Sequence, residues 1–330
     1  MTKILSIISS KEKDKISLGI NFSARQKQAG HDVRVLFFGQ SEVSIANDEE
    51  LSKLLDSLGM TLDSAGKESI DVEYQANRPD LISTVGLARA IRYFVGRKSS
   101  FSYVAEGPVQ GFEISLGRRV SKIRPFLSAM IAKGFKLDSD SLLDLINFTE
   151  KITFTYGRDR KRVAIGLHDL SKIVPPLVYD AFPDESYDAL RSGSMKYSEV
   201  LKNTDKGKAY ADLCNIGSYY CALKDQKGTL SLIPVLNSER TKITEATSDM
   251  LIDITGTNKF VVEKTADIVA ANIIDMGAKV YRVAINKAGR QHLTPKMSSA
   301  EISVPLARFS YELGVRLAFN NVISLANKMG

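Results

Sequence analysis

Cysteine is scarce in this chain: Cys214 and Cys221 are the only two among 330 residues. Together with three scattered histidines they do not supply the ligand set of a structural zinc site, so no metal site is expected. A pair of thiols in such a chain reads most simply as reduced. Long hydrophobic runs are also missing. The apolar segments are strand-length and bounded by charge, which argues against a membrane-spanning helix. The opening Met1–Ile8 run is short and soon followed by Lys11, Glu12 and Lys13, unlike a secretory signal, so a cytoplasmic location is expected. No glycine-rich loop follows that run. Ser9-Ser10-Lys11-Glu12 stands there instead, which argues against dinucleotide binding. Nor does one sign of charge dominate. Forty-five Lys and Arg against 38 Asp and Glu leave a formal charge of +7, compatible with a polyanionic partner without requiring one.

What is present is the make-up of an ordinary globular protein, 44% hydrophobic and 25% charged, long enough for about two domains. Lys3–Ile8 and Asp32–Phe38 read as strands flanking a helix over 16–29, a unit that favours a parallel pair. Helical spacing recurs over 49–58, 81–95, 139–152 and 264–276. Strands are expected over 70–74, 163–169, 219–224, 230–237, 250–255 and 280–285. Ser139 or Asp140 is the expected cap of the 139–152 helix. Thr204-Asp205-Lys206-Gly207-Lys208 reads as a glycine-bearing basic turn, and the end of the chain as a strand or turn followed by a helix over 320–328. The polar stretch 97–111 reads as a linker. The fold class is therefore mixed, α/β and α+β: a small N-terminal α/β domain over 1–105, a larger α+β module on a central sheet over 106–290, and a closing segment over 291–330.

Two stretches carry the densest chemical signal. In Leu230-Ser231-Leu232-Ile233-Pro234-Val235-Leu236-Asn237, small polar groups are set into an apolar run. In Asp253-Ile254-Thr255-Gly256-Thr257, a carboxylate and a hydroxyl at period two face the same side of a strand. Polar groups converging beside an apolar wall suit a small ligand; the plain alternative is a strand whose polar face meets water. Four basic residues in five positions, Arg158, Arg160, Lys161 and Arg162, form a dense cluster able to meet a nucleic-acid backbone, or else a solvated turn. His168 and Asp169 are adjacent, so on a strand they point to opposite faces and make no dyad. His168 reads as structural or RNA-facing. Arg78 and Arg89 could meet a phosphate or an acidic neighbour, and the structural salt bridge is the favoured reading.

Four motifs, taken together and in order, resemble the archaeal type of phenylalanyl-tRNA synthetase β subunit. They are Asn77-Arg78-Pro79-Asp80-Leu81 with Gly86-Leu87-Ala88-Arg89-Ala90, Gly157–Arg160 through Ala164–Leu170, Leu230–Asn237 with Arg240, and Asp253–Thr257. The resemblance runs from about residue 49 to the end. It departs from the family pattern at Ile233, where a proline is usual, and at Lys151-Ile152-Thr153, where Lys-Leu-His is common. The first fifty residues faintly resemble DsrE-like sulfur-relay proteins through Ala29–Val33 and Phe37-Phe38-Gly39, but that family works through a cysteine and none occurs before Cys214.

The resemblance implies that 291–330 is the truncated start of a further domain, and that the central module edits: it binds the 3′ end of the phenylalanine tRNA and hydrolyses wrongly attached tyrosine. Ser231, Asp253 and Thr255 would read the tyrosine hydroxyl, with Ala222 and Leu223 part of the wall around its ring. Asn237 is a secondary ligand contact, and Thr255 or Asn237 is a candidate for placing the water, with the tRNA terminal ribose hydroxyl assisting. Arg158, Arg160, Lys161, Arg162 and Arg240 would contact tRNA. Expected partners are the phenylalanine tRNA and a synthetase α subunit in a heterotetramer, with no membrane. No cofactor is expected in this chain; ATP and Mg²⁺ would serve only the complete synthetase. Two other readings remain: a non-catalytic tRNA-binding or assembly module, or free-standing relative, and a sulfur-relay fusion that would need a reactive Cys214 or Cys221.

Overall fold

The computed structural model describes residues 3–8, 32–37, 48–65, 70–74, 77–96 and 103–329. The chain divides into two compact units. One comprises Met1–Leu81, Gly86–Phe101 and Ile302–Gly330, and the other Ile82–Val85 and Ser102–Glu301. Among the described residues no helix is long and apolar enough to cross a membrane.

In the smaller unit, β1 (Lys3–Ile8) and β2 (Asp32–Phe37) pair in parallel, as the strand–helix–strand reading requires. The helix expected over 16–29 lies outside the described residues. Helix α1 (Asp48–Ser57), the antiparallel pair β3 (Met60–Ala65) and β4 (Ile70–Tyr74), and α2 (Thr84–Phe94) follow. Leu51, Leu55, Leu58, Met60, Leu81 and Ile91 close one core, the leucine spacing of α1 supplying half of it. Arg78 and Arg89 each reach Asp80 at 2.9 Å, the internal ion pair expected of them.

The larger unit is built on a mixed sheet of eleven strands. These are β5 (Glu113–Leu116), β6 (Phe126–Lys133), β7 (Val163–Asp169), β8 (Leu177–Phe182), β11 (Asn215–Ile216), β12 (Tyr219–Asp225), β13 (Gly228–Leu232), β14 (Leu236–Asn237), β15 (Asp249–Gly256), β16 (Lys279–Lys287) and β17 (Arg290–Thr294). A separate pair, β9 (Ser186–Ala189) and β10 (Gly193–Lys196), leads into the short helices α4 (Tyr197–Asn203) and α5 (Asp205–Tyr210). Helix α3 (Ser139–Phe154) follows β6, and α6 (Lys259–Asp275) packs on β6 and β15. The chain ends in α7 (Leu306–Leu313) and α8 (Phe319–Met329).

Strand order along the sheet is β14-β13-β12-β8-β5-β16-β6-β15-β7. Strand β15 is buried along nearly its whole length, Asp253 and Thr255 included. It is paired antiparallel on both sides, to β6 and β7. The first and last strands of the order, β14 and β7, approach each other. Asn237 Nδ2 donates to the Leu167 carbonyl at 3.3 Å, so side chains rather than a backbone ladder close the sheet.

The structure corrects four local expectations. Leu230–Asn237 is not one strand: β13 ends at Leu232, the chain turns through Ile233-Pro234-Val235, with a cis Ile233–Pro234 peptide, and β14 returns antiparallel with Ser231 opposite Asn237. Residues 205–210 are helical, capped by Thr204 Oγ1, which accepts from the Gly207 amide; the short polar run concealed one helical turn and its cap. The α3 cap is Asp138, which accepts from the Ser141 amide while Ser141 Oγ accepts from the Asp138 amide. The segment before α8 contains a second helix, α7, rather than a strand.

Candidate functional site

A cavity of about 270 Å³, measured out to its open mouth, lies in the seam between the two ends of the sheet. Ala164, Ile165 and Gly166 of β7, Asp253 and Thr255 of β15, Ser231 and the Ile233–Asn237 turn, and Arg160 line it. Period-two alternation on β15 turns Asp253 and Thr255 inward together. Folding β14 back on β13 adds Ser231 and Asn237 from the facing wall.

The polar atoms are nearly all buried and unevenly satisfied. Asp253 is 2% exposed; its Oδ1 lies 2.9 Å from His168 Nε2, while Oδ2 has no hydrogen-bond partner among the described residues. The Thr255 hydroxyl is fully buried and also unpartnered. Ser231 Oγ donates to Asn237 Oδ1 at 2.9 Å, leaving the serine oxygen able to accept. Two unmatched polar groups at one cavity, a carboxylate oxygen and a hydroxyl, are the complement of a ligand hydroxyl, which donates to the first and accepts from the second.

Close approach fixes this wall. Gly166 is opposite Asp253 in the β7–β15 register, and a Cβ there would stand 3.0 Å from both Asp253 Cγ and His168 Nε2, and closer still to Oδ1. The glycine makes room for the carboxylate. Neither Gly166 nor the His168 contact was legible in the sequence, where a strand glycine reads only as a weak point.

The basic cluster does structural work at the rim. Arg158, Asp159 and Arg160 are all left-handed, with φ of 49°, 51° and 63°, a conformation that costs roughly 1–2 kcal/mol per residue. Their amides hold it by donating to Thr155, Phe154 and Thr153 carbonyls at 2.7–3.1 Å. The turn aims Arg160 at the hairpin: Nη1 donates to the Pro234 carbonyl at 2.7 Å and Val235 at 3.2 Å, and Nη2 meets Glu150 at 3.2 Å. Its guanidinium also lies 4.5 Å from the Tyr210 ring centroid. Beneath it, Arg124 is 1% exposed and ties the Arg160 carbonyl (2.9 Å) to that of Thr255 (2.8 Å). Burial lowers the pKa of Arg124, against the opposing pull of Tyr179, Cys221, Cys214 and Asp253. Arg158 and Lys161 are exposed and Arg162 half-buried.

Other sequence candidates lie elsewhere. Ala222 and Leu223 are fully buried in separate cores on the two sides of β12 and do not line the cavity. Arg240 is engaged internally, donating to the Lys172 carbonyl at 2.7 Å and to both oxygens of Asp225 at 2.8 and 3.2 Å. Asp169 caps a turn at Ser171 and accepts from Thr247. Both thiols are buried; burial pushes Cys214 well up and Cys221 up to about 12, so neither offers the thiolate that sulfur relay needs.

A B3/4 domain model matches residues 110–272, the part that contains the cavity. An N-terminal fragment of the phenylalanyl-tRNA synthetase β subunit from Pyrococcus horikoshii superposes with a TM-score of 0.79 at 30% identity, covering 86% of this chain and 84% of that one. The chain belongs to the phenylalanyl-tRNA synthetase β-subunit family. It is 31% identical over 281 residues to the phenylalanine–tRNA ligase β subunit of Sulfolobus acidocaldarius, covering 84% of this chain and 51% of that protein. The Archaeoglobus fulgidus β subunit is 31% identical over 304 residues, 90% of this chain and 55% of the relative. The chain thus spans about half the length of the curated relatives it matches.

Proposed function

We propose that this chain edits for a phenylalanine-specific aminoacyl-tRNA synthetase, hydrolysing tyrosine wrongly esterified to the phenylalanine tRNA. The observation that carries this reading is a pair of unmatched groups at one small cavity: Asp253 Oδ2, which accepts and has no hydrogen-bond partner among the described residues, and the buried Thr255 hydroxyl, which donates. A tyrosine hydroxyl satisfies both. Phenylalanine leaves both buried and unpaired, and sites built to need a hydroxyl reject the analogue lacking it by factors on the order of 10⁴–10⁵. Ser231 and Asn237 complete the facing wall. Exposed Arg158 and Lys161, beside the rim, are placed to meet the tRNA backbone; Arg160 shapes the pocket instead. In this reading the module is one domain of a subunit that works with an α subunit, and adenylate formation with ATP and Mg²⁺ belongs to that partner.

The test is deacylation of tyrosyl- and phenylalanyl-tRNA by the chain. Tyrosyl-tRNA is the expected substrate. Asp253→Ala and Thr255→Val are each expected to slow its hydrolysis about 10- to 100-fold, the loss of one buried polar contact. A folded chain that leaves tyrosyl-tRNA intact sinks the proposal. One observation favours a second reading, a tRNA-binding module without hydrolysis: both ring nitrogens of His168 are engaged, so the histidine is not free to act as a base. That reading predicts salt-dependent tRNA binding with no ester cleavage.

A further inference from the structure

We infer that His168, held by Thr241, positions the Asp253 carboxylate and so sets which side chain the cavity accepts; the inference deepens the editing reading and rests on it for the identity of the ligand. The geometry is a buried chain of three side chains from three elements. His168 of β7 is fully buried, its Nε2 2.9 Å from Asp253 Oδ1 on β15 and its Nδ1 3.0 Å from Thr241 Oγ1. Thr241 lies in a short 3₁₀ turn that follows β14, on the opposite side of the seam, and is itself fully buried.

With the carboxylate ionised and the ring neutral, Nε2 donates to Oδ1, Nδ1 accepts, and the Thr241 hydroxyl donates to it. Thr241 has no other side-chain hydrogen bond among the described residues, so its hydroxyl is free to serve that ring nitrogen. The result is asymmetric. Oδ1 is consumed inside the wall, with Gly166 leaving space for it, and Oδ2 is left as the acceptor at the cavity. Without the imidazole, the carboxylate is free to rotate, to present either oxygen or to turn away from the ligand. His168 touches no substrate in this arrangement. It acts through Asp253, in the way that outer partners orient the groups that meet a ligand.

The same chain crosses the seam. Asn237 to the Leu167 carbonyl is one stitch between the sheet's two ends, and His168 to Thr241 is a second, one residue further along β7. The acceptor that reads the ligand is therefore referenced to both walls of the cavity at once. This explains why a histidine stands in an otherwise apolar, fully buried strand segment with no solvent to serve.

The experiment measures binding of L-tyrosinamide and L-phenylalaninamide to the chain by calorimetry, for wild type, His168→Phe, His168→Gln and Thr241→Val, with circular dichroism to establish folding. Deacylation of tyrosyl-tRNA is followed in parallel. Wild type is expected to prefer tyrosinamide. His168→Phe is expected to lower that preference about tenfold or more, and Thr241→Val to lower it by less, because the ring and its bond to Oδ1 remain and only the anchor at Nδ1 is lost. His168→Gln carries an amide N–H able to reach Oδ1 and is expected to restore part of the preference. A purely structural role would lower the melting temperature and leave the ratio alone. An unchanged ratio in folded His168→Phe, or in Thr241→Val and His168→Gln if the phenylalanine variant does not fold, overturns the inference, as does a wild-type chain with no preference. A wild type that prefers tyrosinamide through His168 yet hydrolyses no tyrosyl-tRNA upholds the positioning role and overturns the editing reading alone.

Discussion

Replacing Gly166 with alanine puts a methyl group where the Asp253 carboxylate now lies. The added carbon would stand 3.0 Å from Asp253 Cγ and from His168 Nε2, nearer again to Oδ1, where ordinary van der Waals contact begins at 3.4 Å. Gly166 and Asp253 are paired across the β7–β15 ladder, so the backbone cannot retreat without breaking that register. The carboxylate must swing, and swinging it breaks the 2.9 Å contact with His168. Loss of a hydrogen bond to a charged group costs about 1.5–3 kcal/mol, and overpacking a tight site about 1–3 kcal/mol. Stiffening the unfolded chain returns about 0.4–1 kcal/mol. The net expectation is a loss of roughly 2–5 kcal/mol, a fall in melting temperature of roughly 4–20 °C for a unit of this size. The tyrosine preference should fall with it.

A double-mutant cycle by urea denaturation isolates the cause. In an Asp253→Ala background the new methyl meets no carboxylate, so Gly166→Ala should cost under about 1 kcal/mol, giving a coupling of at least about 1 kcal/mol with the wild-type background. Equal costs in both backgrounds would refute the claim that Gly166 is there for Asp253. So would a Gly166→Ala protein with wild-type stability and unchanged selectivity.

Arg160→Lys keeps the charge but loses the fork that holds the Pro234 and Val235 carbonyls with Nη1 and Glu150 with Nη2, and the guanidinium over the Tyr210 ring; unfolding should show about 1–2 kcal/mol lost, and kinetics a raised KM as the hairpin wall loosens. Arg240→Ala strips a bidentate partner from Asp225, whose side chain is fully buried but still accepts from the Val174 and Lys227 amides, so about 2–4 kcal/mol of stability should go while the salt slope of tRNA binding stays the same; a slope lower by about one would mean that Arg240 meets a phosphate instead. Burial alone would raise the pKa of Asp80, but Arg78 and Arg89 outweigh it and hold the carboxyl below its ordinary value. The stability this contributes to the smaller unit is present above the unfolded-state pKa of about 4 and is lost as pH falls through the folded value; acid titration of unfolding should show that loss, and Asp80→Asn should flatten it.

The division between what could and could not be read from the residues follows contact range. Period-two spacing placed Asp253 and Thr255 on one strand face, and leucine spacing gave α1, because both are local consequences of backbone geometry. Ser231 and Asn237 were also picked out, but as neighbours on one strand. They face each other across a hairpin, and the one local signal of the turn, Pro234, which has no N–H for a strand ladder, is masked by the apolar residues around it. Arg160 read as a polyanion contact because density of charge is visible and a destination 74 residues away is not. Ala222 and Leu223 sit beside β13 in the sheet, yet adjacency in the ladder does not give access to the cavity. His168 was separated correctly from Asp169 by strand alternation; its true partner, Asp253, lies 85 residues along the chain. Gly166 was invisible because its function is the absence of an atom.

The arrangement also bears on how an ester would be cleaved here. His168 has both nitrogens committed, Asp253 Oδ1 is occupied, and Ser231 donates to Asn237, so the lining groups are arranged to recognise rather than to form a nucleophile with its base. An aminoacyl ester does not demand such a base. Its acyl group is already activated, and holding a water in line with the carbonyl, with a donor for the developing oxyanion, supplies much of the acceleration. On the editing reading, selection and chemistry are then separated in space. The side chain is tested deep in the seam by Asp253 and Thr255, while the ester stays at the open mouth, near the Arg158–Arg160 turn, where the tRNA terminus brings its own ribose hydroxyls. Rejection of phenylalanine then comes from two unpaired polar atoms in the seam and needs no discrimination at the reacting carbon. A site built this way tolerates change at the mouth far better than in the wall behind Asp253, because only the wall decides which amino acid stays long enough to meet the water.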